Sequence, residues 1–164
     1  MRIHENQESN LDSLDEVDAR KLLSQRHFCV DADSDDWVML DRPKGAFGFE
    51  QGLLDADGNS VGLSMELIFY RSPQTNLITV KMSVFHRERR KPPLRVYQLH
   101  ITTKSYDPDN WHDEAHEHFG NSRSIIKAWK NWRSFHDALN FFSQQTNIEF
   151  TPELDDPEQL RLKP

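Results

Sequence analysis

The feature that most constrains this chain is a strict two-residue alternation at its centre. Val61, Leu63, Met65, Leu67 and Phe69 occupy every second position of one run, and Ile78, Val80, Met82 and Val84 do the same in the next. A period of two belongs to a strand with one buried face, because successive side chains point to opposite sides. Ser72-Pro73-Gln74-Thr75-Asn76 between the runs is turn chemistry. A third run, Leu94 to Thr102, follows a break of charges and prolines at 87–93. Its alternation puts Arg95, Tyr97, Leu99 and Ile101 on one face, with Leu94, Val96 and Gln98 on the other. Three long runs joined by short turns predict an antiparallel meander.

The flanks add to it. Short apolar runs at 28–30, 37–40 and 47–54 extend the expected meander to four or five strands. Ser134 followed by Asp137 is a capping box with Asp in place of Glu, and Phe135, Leu139 and Phe142 then share one face. This predicts a helix from Phe135 to Gln145. A second helix is expected from Leu14 to Gln25, capped by Asp12 or Ser13. The fold class is therefore read as α+β: an antiparallel β-meander of about four to five strands with one or two helices packed on one face. The other face is left for a partner or substrate. The domain spans 12–150, with a polar leader at 1–11 and an extended acidic tail at 151–164. Lys104 to Asn121 lacks apolar periodicity and reads as a long loop.

Composition narrows the function classes. The 164 residues carry 27 acidic and 20 basic side chains, a net charge of -7, which disfavours coating DNA through broad basic coverage. Ten Phe, 4 Trp and 3 Tyr supply a core despite 29% charged residues. No window approaches a membrane-spanning length of apolar residues, and Met1 to Asn10 has no apolar signal region. The single cysteine, Cys29, excludes an intrachain disulfide and a cysteine zinc cluster. It reads as a buried, inert thiol, although His27 falls on the same strand face. A soluble cytoplasmic protein without membrane contact is expected.

Chemistry concentrates in Trp111-His112-Asp113-Glu114-Ala115-His116-Glu117-His118. His116 and His118 on an extended segment put both rings on one side. Three readings stay open. As acid and base, His116 and His118 abstract a 2′-hydroxyl proton and protonate a leaving oxygen, which needs no cofactor. A cation from Lys104, Arg123 or the Arg87–Arg95 group would stabilise the transition state. As metal ligands, His112, His116 and His118 hold Zn or Mn, with Asp113 or Glu117 as a further ligand or orienter. In the third reading the loop is only a solvated, charge-paired surface.

Arg87, Arg89, Arg90 and Arg95 stand in a basic stretch that contrasts with the acidic chain. They are candidate phosphate contacts on a hairpin tip, or charges that discourage edge-to-edge aggregation. Trp129, Trp132 and Phe135 are either a base-stacking platform or, more simply, core.

The order of elements carries a resemblance over residues 94–145. A strand Val96-Tyr97-Gln98-Leu99-His100 is followed by His116-Glu117-His118, then Trp132-Arg133-Ser134 and an amphipathic helix with Leu139 and Phe142. This arrangement resembles the small TumE-type toxin components of bacterial and archaeal toxin–antitoxin modules, and related families of mobile elements. Ala115 stands where those proteins carry an Asp before the histidine pair. The resemblance implies a toxin or defence-module protein directed at RNA and held in check by a cognate antitoxin, with His116 and His118 as the motif histidines. A contrasting expectation is a non-catalytic defence or counter-defence protein whose acidic surfaces (31–36 and 107–117) engage a partner.

Overall fold

The computed structural model describes residues 12–31, 36–103, 114–129 and 131–160. Three long strands sit where the alternation predicts them. We label them β4 (Ser60–Arg71), β5 (Ile78–His86) and β6 (Leu94–Thr102). They pair antiparallel in sequence order, with Met65 opposite Val84 and Val84 opposite Tyr97. Before them come β1 (His27–Val30), β2 (Val38–Asp41) and β3 (Lys44–Leu54). After them come β7 (His116–Phe119), β8 (Ser124–Ile125) and β9 (Ile148–Thr151).

The expected four- to five-stranded meander is too small. Among the described residues one sheet holds nine strands, in the order β8-β7-β6-β5-β4-β3-β1-β9, with β2 also paired to β3. The sheet is mixed, because β9 runs parallel to β1, with His27 opposite Ile148 and Val30 opposite Thr151. Among the described residues three small α-helices accompany it: α1 (Glu16–Leu23), α2 (Phe135–Thr146) and α3 (Pro157–Leu160). The protein is thus mostly sheet. β7 and β8 escape the alternation rule because they have only four and two residues. The β1–β9 partners also lie far apart in the chain, so no local turn announces them.

Helix α2 starts as its sequence dictates. The Ser134 hydroxyl accepts the Asp137 N–H at 3.0 Å. Phe135, Ala138, Leu139 and Phe142 turn inward. Phe135 meets Trp37 edge-on at 5.6 Å between ring centres, and Phe142 lies 5.7 Å from Tyr97. This sheet face carries the core: Met65, Leu67, Phe69, Val80, Met82, Val84, Leu99 and Ile101 are all buried. Trp129 is buried against Phe141, and Trp132 packs on Phe69. The aromatic group ahead of α2 therefore serves packing rather than a stacking platform.

Helix α1 docks on the β6–β7 end. No side chain of its own caps it; Asn121 Oδ1 accepts the Glu16 N–H at 3.1 Å instead. Within the segment read as an extended acidic tail, the described residues 151–160 fold back. Leu154 is buried, the Asp155 carbonyl accepts from Trp37 Nε1 at 3.1 Å, and Glu158 pairs with Arg71 at 2.6 Å. Among the described residues no helix is long and apolar enough to cross a membrane.

Candidate functional site

The sheet face away from α2 is polar. Register alone assembles it, because residues directly opposite across paired strands share a face. One row runs Glu50, Glu66, Ser83, Gln98, His118, and the next runs Gly48, Ile68, Lys81, His100, His116. Three imidazoles thereby become neighbours. The His100 and His116 ring centres are 5.1 Å apart, those of His116 and His118 are 5.2 Å apart, and both contacts are edge-on.

The segment read as a loop through 104–121 contains this strand. His116-Glu117-His118-Phe119 is extended and pairs with β6. The two histidines share a side, as their spacing requires. Each ring is oriented by the backbone: His116 Nδ1 donates to the Glu114 carbonyl at 2.8 Å, and His118 Nδ1 to the Ser122 carbonyl at 3.2 Å. A carbonyl only accepts, so both Nδ1 atoms carry hydrogen, and the Nε2 atom of each ring is itself buried. Both rings are sheltered, His116 at 0% and His118 at 7% exposure.

Glu117 does not share their face. It turns under the helices, where Tyr97 Oη donates to it at 2.7 Å and Gln145 Nε2 at 2.9 and 3.0 Å. Burial, and then the adjacent Glu117 charge, hold the Tyr97 hydroxyl well above its ordinary pKa. Glu117 is therefore a packing partner of Tyr97 and Gln145, not the ligand or orienter that the sequence offered. His112, Asp113 and Lys104 lie outside the described residues. Among the described residues no group of three or more His, Cys, Asp or Glu is placed to hold a metal ion.

The four arginines separate. Arg95 was expected opposite Gln98, but a bulge at Val96 resets the alternation: Val84 pairs with Tyr97 and Phe85 with Arg95. Arg95 thus joins the histidine face, is buried, and donates to the Gly120 carbonyl at 3.3 Å and to Gln98 Oε1 at 3.4 Å. Gln98 passes the contact on, donating to Ser83 Oγ at 2.9 Å. Arg87 lies at the margin of the same face, bonded to Ser64 Oγ at 2.5 Å and Glu50 Oε1 at 3.0 Å. Arg89 and Arg90 are exposed on the β5–β6 turn, where Arg90 takes a left-handed φ of 67°. The turn lies beyond Leu94, about 13 Å of strand from Gln98.

Two residues of the face were missed as site members. His100 and Lys81 become visible only once β7 is recognised as a strand beside β6, since parity then aligns both with His116. Elsewhere, the Cys29 thiol is pushed up to about 12, first by burial and then by Asp36. It is inert, as its apolar neighbours imply. Burial likewise lowers His27 below 6.5. Glu66 is pushed up, first by burial and then by Glu50.

Compared with family models, curated proteins and solved structures, the chain matches none of them.

Proposed function

We propose that the protein acts on RNA as the toxin component of a toxin–antitoxin or mobile-element defence module, with His116 and His118 as the acid–base pair. The observation that supports this reading most is convergence: His100, His116 and His118 gather on the sheet face opposite α2, and Lys81 and Arg95 share that face. A pair of imidazoles with fixed Nδ1–H bonds accepts one proton and delivers another at Nε2, while a nearby cation offsets the charge of a pentavalent phosphate. The exposed Arg89 and Arg90 would guide the RNA backbone toward the face. Arg95 and Arg87, being already bonded, would shape the face rather than grip phosphate. The cognate partner would be an antitoxin. The acid–base route requires no cofactor. Zn or Mn bound with His112 is the metal alternative, and backbone-anchored Nδ1 atoms are common to metal-binding histidines as well.

A second reading is a non-catalytic binding protein of a defence or counter-defence system. The burial of His116 and His118 favours it, since sheltered imidazoles bonded to backbone carbonyls also serve as structural elements.

Purified protein incubated with total RNA, in EDTA and separately with added Zn or Mn, separates these readings. The acid–base reading expects cleavage in EDTA and its loss in His116→Gln and His118→Gln variants that retain wild-type melting profiles. Cleavage that needs metal supports the metal alternative. Intact RNA under every condition supports the binding reading.

A further inference from the structure

Independently of the histidine face, we infer that the outer edge of β9 is a docking site for an extended peptide segment of a partner protein. The segment adds as a further strand and carries a basic side chain opposite Glu149.

The register of β9 presents the edge. Its ladder to β1 uses alternate residues. The Asn147 carbonyl accepts the His27 N–H at 3.1 Å, and the Thr151 carbonyl accepts the Asp31 N–H at 2.9 Å. With Phe28 opposite Glu149, the Glu149 main chain faces β1 as well. The main-chain N–H and C=O groups of Ile148 and Phe150 therefore point away from β1. β9 ends the strand order, and among the described residues no strand pairs with its outer side. Such a row of donors and acceptors is a template for one more strand.

Helix α2 supplies a second wall. It leads into β9 through Asn147, whose left-handed φ of 58° turns the chain. A groove of about 480 Å³ lies between helix and strand, lined by Asn140, Ser143 and Gln144 from α2 and by Ile148 and Phe150 from β9. A strand edge beside a helix flank holds an extended peptide in two ways. The edge binds its main chain, and the groove receives every second side chain. Ile148 and Phe150 pack on the core side of the sheet. Peptide side chains on that side meet the amides and hydroxyl of α2, and those on the other side lie beside Glu149.

Charge selects the occupant. Two exposed carboxylates, Glu149 and Glu153, line the groove together with the Arg26 guanidinium, which reaches Glu149 at 3.5 Å. This favours a basic strand and disfavours a second copy of the chain. The antiparallel register that bonds Ile148 to Phe150 of a copy sets two Glu149 carboxylates directly opposite one another. A register centred on Phe150 brings Pro152, which lacks an N–H, opposite Ile148. A partner strand with Lys or Arg facing Glu149 meets neither obstacle.

The test uses the full chain and a displayed library of random peptides. Selection on the immobilised protein is expected to enrich peptides with alternating β-branched residues and a Lys or Arg. A synthetic peptide of the enriched sequence is then added in solution, and amide hydrogen exchange is followed by NMR. The Ile148 and Phe150 N–H groups should become at least about tenfold more protected. Glu149 and Thr151 should change less, because β1 already holds them. Methylating the peptide's main-chain nitrogens one at a time should weaken binding at least about tenfold at every second position and little in between. Both readouts use wild-type protein, so neither depends on a variant folding. Glu149→Lys, at an exposed position, should shift the selection from basic to acidic peptides. Failure to enrich any sequence, enriched peptides without a basic residue, or binding that leaves the Ile148 and Phe150 amides unprotected overturns the inference. Protection already present without peptide also overturns it. If that protection grows with protein concentration, the edge belongs to a second copy; if not, it belongs to another part of this chain.

Discussion

Replacing Gly120 by alanine separates backbone strain from collision at the seam that positions β7. Gly120 turns the chain out of β7 with a φ of 56°. A Cβ there meets the Leu14 carbonyl oxygen and comes within 2.9 Å of both the carbonyl carbon and oxygen of Asp15. Those atoms have little room to retreat. The Leu14 N–H is bonded to the Arg95 carbonyl at 3.1 Å, and the Glu16 N–H to Asn121 Oδ1 at 3.1 Å. Left-handed strain costs about 1–2 kcal/mol, and forcing atoms into packed backbone adds about 1–3 kcal/mol. The expected loss is therefore about 3 kcal/mol, and the Tm of a chain this size falls by roughly 6–12 °C. Two other glycines calibrate the result. Gly58 has a φ of 81° but nothing within 4 Å of its Cβ, so Gly58→Ala should lose only the strain, about 1–2 kcal/mol. Gly52 has open space and no left-handed backbone, so Gly52→Ala should be neutral or gain about 0.4–1 kcal/mol. Urea and thermal melts followed by circular dichroism read all three. A Gly120→Ala loss no larger than that of Gly58→Ala refutes the docking of α1 against the β7 turn.

Three further outcomes follow from local chemistry. Ser134→Ala should cost about 1 kcal/mol in urea melts, because the Asp137 N–H loses its acceptor, whereas Ser134→Asp should retain most of it. Cys29, buried and with its thiol pushed up to about 12, should resist a disulfide-exchange reagent at neutral pH in the native protein and react stoichiometrically in denaturant. His27 is held below 6.5 by burial, so the unfolded chain binds more protons, and its contribution is complete above 6.5 and erodes as the pH falls. Comparing melts at about pH 7.5 and about pH 5, wild type should lose more stability than His27→Gln, and an equal loss counts against the assignment.

The parts legible from sequence were those whose physics is local. The alternation at 61–69 and 78–84 needs only one buried face, and β4 and β5 occupy those positions. The Ser134–Asp137 cap is a contact across three residues and marks α2 directly. Other features depend on distant partners. β9 is short, and its pairing with β1 joins residues more than a hundred positions apart. β7 was hidden because its alternation is polar. His116 and His118 face one side while Glu117 and Phe119 face the other, so hydropathy sees a charged loop where the sheet has a strand. The bulge at Val96 moved Arg95 to the histidine face, and no residue in the run announces it. Once β7 is paired, His100 and Lys81 fall into line with His116 by parity alone.

The central claim is that the histidine pair acts on RNA. Its most direct test is inducible expression of the wild-type chain and of a His116→Ala/His118→Ala chain at matched soluble levels, scoring growth together with the integrity of total RNA. The account predicts growth arrest with RNA decay for wild type and neither effect for the double variant. Equal growth with intact RNA in both, or RNA decay that survives the double substitution, contradicts it.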